Sequence, residues 1–258
     1  MGELVLAAEE FSPPGPSVFN YPPIFAGVTK PMVLIVLSAI FIAAYFTMAT
    51  RRMTLVPGRA QFALESFYNV ARNGMARDQI GEKDFRPFIP LILGLFSFVL
   101  VNNYFGIIPF FQIPTMSKIS FPIALALVVY VFYHYAGFKK HGFAGYLKHA
   151  TLPGGVPWAM APLIIIIEIM QKFVVQPASL ALRLFAAMFA GHLMLVLVAV
   201  GGEFLLLVLG GIYIAPGLLV VVAGIAFTFL EALVMTIQAY IFALLASVFI
   251  GAAVAEEH

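Results

Sequence analysis

The sequence contains no cysteine, which excludes disulfide bridges and thiolate metal sites while leaving the compartment open. Charge is nearly as scarce. Asp, Glu, Lys and Arg make up 10% of the residues, against roughly 25% in soluble domains. The two signs almost cancel, leaving a formal net charge of +2. A near-neutral chain without a clustered basic surface does not suit nucleic acid. The motifs of a self-sufficient catalyst are also missing. There is no HExxH helix, no GxSxG elbow, no GxxxxGK phosphate loop, and no Asp after Asp84 from which to build an intramembrane aspartyl pair. No metal site or cofactor is expected, and the chain reads as non-catalytic by itself. The first residues, MGELVLAAEE, lack the basic and apolar regions of a signal peptide, so the N-terminus is expected to be retained.

What is present is hydrocarbon. Hydrophobic residues make up 62% of the chain, and the mean hydropathy is +1.02, the profile of a polytopic membrane protein. About twenty apolar residues cross a bilayer core of roughly 30 Å. Runs of that length are 31–50, closed by Arg51 and Arg52; 88–108, opened after Arg86 and Pro87; and 119–138, closed by Lys139, Lys140 and His141. Two further runs, 161–200 and 211–255, are about forty residues each, which as helices extend to roughly 60 Å. Ordinary tilt does not absorb a twofold mismatch, so they are expected to lie steeply oblique and to form a hairpin. Residues 58–76 carry apolar side chains at helical spacing among polar ones and read as an amphipathic helix at the membrane surface. The expected fold is an all-α membrane protein with five membrane-embedded helices plus this interfacial helix. No repeat or linker divides it, so it is one domain, with 1–30 as an external N-terminal segment.

The distribution of Lys and Arg sets the orientation. The segments 51–86 and 139–148 hold most of the basic residues, while Lys30 and Lys118 flank the opposite side. Both basic loops are expected in the cytoplasm. That places Glu3, Glu9, Glu10 and Glu203 outside, and Glu256, Glu257 and His258 inside.

Polar residues within the two long runs are few: Glu168, Gln171, Lys172, Gln176, Ser179, Arg183 and His192 in the fourth, and Glu231, Thr236 and Gln238 in the fifth. Arg183 carries the most information. An arginine at bilayer-centre depth costs roughly 2.5 to 3.5 kcal/mol on insertion scales, and ~10 or more in simulations of isolated helices. Snorkelling to the headgroups is hindered by the apolar residues on both sides, and Glu168 is too far along the same helix to be its partner. A functional cation is the reading with most support. Gln176, Ser179 and Arg183 share one helical stripe, whereas His192, about 13 Å further along, points to the opposite side. Glu231 and Gln238 share a face of the last helix. Imidazole and carboxyl groups at staggered depth are what a proton path requires, if the hairpin brings His192 to Glu231. Taken alone, His192 is also compatible with a hydrogen-bonded packing role. Glu168 and Lys172 are spaced for an i,i+4 ion pair, and a structural pair and a relay are equally compatible with that spacing. Asn102 and Asn103 either hydrogen-bond helix ends or line an aqueous funnel. Ala186, Ala187, Ala190 and Gly191 permit close helix approach, to a partner or internally.

The stretch Gln176-Pro-Ala-Ser-Leu-Ala-Leu-Arg183-Leu-Phe-Ala-Ala-Met-Phe-Ala-Gly-His192 resembles the signature of subunit a of F-type ATP synthases. Thr236-Ile-Gln238-Ala-Tyr-Ile-Phe242 resembles the last-helix signature of the same family. Asn102-Asn-Tyr-Phe-Gly-Ile-Ile-Pro109 and the ending Ala255-Glu-Glu-His258 match as well. The resemblance implies a bacterial plasma-membrane stator beside a rotating ring of c subunits, with peripheral-stalk b subunits and other synthase subunits as partners. Two aqueous half-channels would reach the ring from opposite sides, and proton flow would be coupled to rotation.

Residue by residue, Arg183 matches the arginine that faces the ring carboxylate, and Gln238 the glutamine packed near it. His192 and Glu231 match the outer half-channel pair, whose residue types are exchanged in some relatives. Glu168 matches the inner half-channel acid, while Ser179, Gln176, Asn102, Asn103 and Glu257 become candidate channel-lining groups. Three departures stand out. Glu168 is one residue further from Pro177 than is usual, a shift that a helix bulge would absorb. Ala186-Ala187 replaces the usual Gly-Asn and removes a polar group beside Arg183. Lys172 adds an unfamiliar cation. From the residues alone, a self-contained ion channel or secondary transporter, or a structural anchor, uses the same polar groups without a rotor.

Overall fold

The computed structural model describes residues 11–25, 27–51, 53–109, 111–151 and 160–255. Five helices among them are long and apolar enough to cross a membrane. A short antiparallel ribbon, β1 (Pro23–Phe25) and β2 (Val28–Thr29), leads into α1 (Lys30–Thr50). The amphipathic helix α2 spans Arg59–Asn69. Next come α3 (Ile89–Tyr104), α4 (Ser120–Thr151), the 49-residue α5 (Ala161–Leu209), and α6 (Ile214–Val254). Helix α5 is interrupted by two π-helical segments, Met170–Val175 and Phe204–Leu209.

At 1.5 Å per residue, α5 extends to roughly 70 Å and α6 to roughly 60 Å. Both are too long to stand upright in hydrocarbon. They reverse at Gly210 and Gly211, whose φ values of 56° and 55° lie in the left-handed region that glycine enters without cost. The hairpin is packed through small residues. A Cβ on Gly217 would lie 2.7 Å from Leu206, one on Gly224 3.0 Å from Val198, and one on Gly202 3.3 Å from Val221. Lipid tails are as apolar as leucine, so close backbone approach is what draws helices together in a membrane.

The core forms where α3, α4 and the middle of α5 meet the C-terminal half of α6, with Ile92, Val129, Leu184, Phe242 and Ile250 buried together. Helix α1 is peripheral. Its Ser38 hydroxyl accepts from Asn102 Nδ2 at 2.8 Å and donates to its own helix, while most of its apolar surface remains exposed for lipid.

Several boundaries differ from those read in the sequence. The second span ends at Tyr104, four residues before Ile108, where Gly106 and Pro109 turn the chain. The third continues past Phe138, because the backbone bends at Gly142 (φ 71°) and the following turn folds back against its own helix. Tyr146 then rests on Gly137, where an added Cβ would lie 2.1 Å from the ring. The fourth continues through Gly201 and Gly202 to Leu209, since Gly202 is seated against α6 and neither glycine breaks the helix. The amphipathic segment is largely exposed only in its first part. After Asn69 it becomes the π-helical Val70–Arg77, where Ala71, Met75 and Ala76 are wholly buried against the bundle. An ion pair from Lys140 to Asp84, 2.7 Å long, ties α4, just before its bend at Gly142, to the loop before α3, so both basic stretches lie at one end. At the other end Lys118 sits 5.7 Å over the Tyr21 ring.

The chain just after the docked segment meets α6 at one tight backbone contact. A Cβ on Gly251 would lie 2.1 Å from the Gln79 carbonyl oxygen, and that backbone cannot swing aside as a side chain can. Gly251→Ala should therefore destabilise the chain by about 1–3 kcal/mol and lower its yield in detergent, whereas Gly94→Ala, with open space around it, should not. Equal melting temperatures for the two variants would refute this.

Candidate functional site

Helix α5 turns two different faces to its surroundings. Leu180, Ala181, Leu184, Met188 and His192 are buried, whereas Ser179, Leu182, Arg183, Ala186 and Ala190 are exposed. Arg183 thus stands on an outward face among small neighbours, with Gln176 half-buried below it. The small residues divide between two roles: Ala186 and Ala190 line the outward face, and Gly191 lies in the hairpin seam.

His192 and Glu231 are both buried on the inward face, brought near each other through Gly191 and not by a hydrogen bond between them. Each is 7% exposed. A Cβ on Gly191 would lie 3.1 Å from Glu231 Oε1, so the carboxyl group of α6 fills the notch that this glycine leaves beside His192. Neither carboxyl oxygen nor His192 Nδ1 has a hydrogen-bond partner among the described residues. A cavity of about 550 Å³ reaches His192 and is bordered by Tyr21, Gln112, Val198, Gly224 and Thr228. The N-terminal segment covers its mouth, with Phe19 5.9 Å from the His192 ring and 4.8 Å from Phe189. Burial there raises the pKa of the Tyr21 hydroxyl above its ordinary value. Phe19 and Tyr21 lie in a segment whose sequence carries no periodicity that points to this role.

Gln238 lies two turns beyond Glu231, buried, with Nε2 unpartnered among the described residues. The adjoining stretch of α6 is clamped by α3: Tyr104 and Thr236 share a 2.8 Å hydrogen bond, and Asn103 Nδ2 donates to the Met235 carbonyl at 3.3 Å. Asn102 donates to Ser38 Oγ and to Phe98 O, and accepts from Thr115. Of the two roles open to these asparagines, the structure shows hydrogen bonding between helices, and both side chains are fully buried.

Toward the other end, Lys172 Nζ lies 3.2 Å from Glu168 Oε2, both side chains about a quarter exposed. The π-helical Met170–Val175 falls between Glu168 and Pro177 and accommodates the extra residue in that interval. Gln176, Lys172, Tyr133 and Tyr146 border a small void of about 20 Å³. His134, in the third span, was not singled out from the sequence. It is buried, and its Nδ1 hydrogen-bonds the Tyr146 hydroxyl at 2.8 Å. A histidine inside a span, with tyrosines one and four positions before it, was the available signal. Glu257, with Glu256 and His258, lies outside the described residues, as do Glu3, Glu9 and Glu10. No cluster of His, Cys, Asp and Glu able to hold a metal ion occurs among the described residues.

The family model for the ATP synthase A chain matches residues 32–251. The chain belongs to that family. It is 45% identical to the ATP synthase subunit a of a Nocardioides species, over 96% of this chain and 95% of the relative. It is 44% identical to that of Pseudarthrobacter chlorophenolicus, over 96% of both, and 42% identical to that of Paenarthrobacter aurescens, over 99% of both. The family places the chain as a multi-pass, non-catalytic subunit in a bacterial membrane.

Proposed function

We propose that this chain is the proton-conducting stator subunit of the membrane sector of an F-type ATP synthase, the activity its family membership supports. The observation that carries the reading is the opposition of two faces on α5. Arg183 points outward, while His192 lies inward, next to the glycine that seats Glu231, and opens to a cavity. A guanidinium on the outer surface of a membrane helix is costly unless a charge of opposite sign covers it. A carboxylate on a ring of c subunits is that charge, and Ser179, Ala186 and Ala190 leave room for the ring to approach.

The outer path runs from the cavity to the His192–Glu231 pair, which hands a proton to a ring carboxylate. The protonated ring site turns away through lipid and returns to the inner side, where Glu168 takes the proton, with Gln176 and Ser179 lining that path. Arg183 attracts each deprotonated ring carboxylate and blocks a direct leak between the paths, and Gln238 packs nearby. The N-terminus lies outside. The basic loops and the C-terminus, with Glu257, lie in the cytoplasm beside the stalk b subunits. Each elementary charge crossing 100 mV supplies about 2.3 kcal/mol, so several protons drive one synthesis.

Arg183→Ala should abolish ATP synthesis and ATP-driven pumping without loss of assembly, and Arg183→Lys nearly so, because a compact ammonium lacks the planar fork and is more strongly hydrated. Normal coupling in membranes from either variant refutes the assignment. For the outer pair, His192→Ala and Glu231→Ala should each slow synthesis strongly, and the exchange His192→Glu with Glu231→His should outperform His192→Glu alone. An exchange no better than the single change means the two act independently. On the inner side, Glu168→Gln should slow pumping, and adding Lys172→Gln should not restore it. Full restoration in that double-mutant cycle reduces the two residues to a structural pair.

A further inference from the structure

Pro177 sits inside a continuous helix in a setting that offers little water to its backbone. Proline carries no N–H, and its ring crowds the carbonyl four residues before it. The helix widens there. Gln176 N–H bonds to Gln171 O, five residues back. A carbonyl at position 172 ordinarily receives an N–H from residue 176 or, in a π turn, from residue 177. The first of these is bonded elsewhere and the second does not exist. The Lys172 carbonyl instead receives the Tyr133 hydroxyl of α4, at 2.6 Å. The same helix grips the bulge a second way, since the His134 ring lies 4.8 Å from Phe173 and nearly parallel to it. His134 is itself held by the Tyr146 hydroxyl, brought back by the bend at Gly142.

The bulge sets where Glu168 points. One residue of α-helix is about 100° of rotation, so a π turn that absorbs one residue returns Glu168 by that angle relative to Pro177 and Arg183. Were the bulge straightened, Ile169 would take its azimuth. We infer that Tyr133 is a positioning residue for proton transfer: by donating to the Lys172 carbonyl, it holds the π-bulge that turns Glu168 toward the inner half-channel. This rests on the role given to Glu168 above.

The chain has no cysteine, so a single introduced cysteine, its labelling read on this chain after the subunits are separated, reports position in the intact synthase in inverted vesicles. With a water-soluble thiol reagent, Glu168→Cys should react faster than Ile169→Cys, and adding Tyr133→Phe should shift that ratio about tenfold toward position 169. Tyr133→Phe should also slow ATP-driven pumping several-fold, and moving the carboxylate by Glu168→Ile with Ile169→Glu should rescue that variant while impairing the parent. Deleting Val174, which removes the extra residue, should make Tyr133→Phe silent. A labelling ratio unchanged by Tyr133→Phe, or a loss equally large in the deletion background, overturns the positioning role. A shifted ratio with pumping indifferent to where the carboxylate stands instead overturns the assignment of Glu168, and the transfer role of Tyr133 with it.

Discussion

Hydrocarbon offers no hydrogen bonds, so every backbone N–H and carbonyl within the membrane must be satisfied by the protein itself. The constraint explains more than the preference for helix. Hydroxyl side chains along the spans turn back on their own helices, as Thr47 does to Ala43, Ser97 to Leu93, Thr228 to Gly224 and Ser247 to Ala243. At two interruptions of the ladder, a neighbour supplies the missing bond. At Pro177 it comes from Tyr133. At the end of α3, Thr115 donates to the Asn102 carbonyl, while the Asn102 side chain reaches Ser38. Polar residues in this bundle serve the backbone first, and those left over are informative.

Those left over are few. Among the described residues, some buried atoms without partners, such as Asn103 Oδ1 and His134 Nε2, belong to side chains that are hydrogen-bonded through another atom, whereas both oxygens of Glu231 lack partners, as do His192 Nδ1 and Gln238 Nε2. Leaving such groups unpaired in a low-dielectric interior costs on the order of 1–3 kcal/mol each, more when charged. Asn102, with its three side-chain bonds, shows what a purely structural polar residue looks like in the same bundle. The contrast favours a transfer role for the His192–Glu231 pair over a packing role. Arg183 is a different case, since it is exposed, and its cost falls on whatever surface it meets.

Periodicity and composition made much of this legible. Arg183 and His192 on opposite sides of one helix follow from a nine-residue separation, and the hairpin follows from two runs too long for the bilayer. The π-bulge did not follow, because Pro177 determines only that a bond is lost. How the loss is met depends on Tyr133, on another helix and 39 positions from the Lys172 carbonyl it serves. The asparagines were ambiguous for the same reason: Asn102 has the same chemistry in a funnel as against Ser38, and only tertiary placement separates the two. The docking of Val70–Arg77 was hidden by its polar residues, since Ala71, Met75 and Ala76 give a narrow apolar stripe that reads equally as interfacial.

Stability and chemistry share one device in the hairpin. Helices in lipid gain little from hydrophobicity and much from close approach, which glycine permits. Gly202, Gly217 and Gly224 use that approach to seat valine and leucine side chains across the seam. Gly191 uses it to seat a carboxylate. Any larger residue at position 191 competes with Glu231 for the same space, and a displaced Glu231 has only lipid or the cavity to enter. The notch that lets α5 and α6 approach is therefore also what holds a carboxyl group next to the His192 position and away from the hydrocarbon.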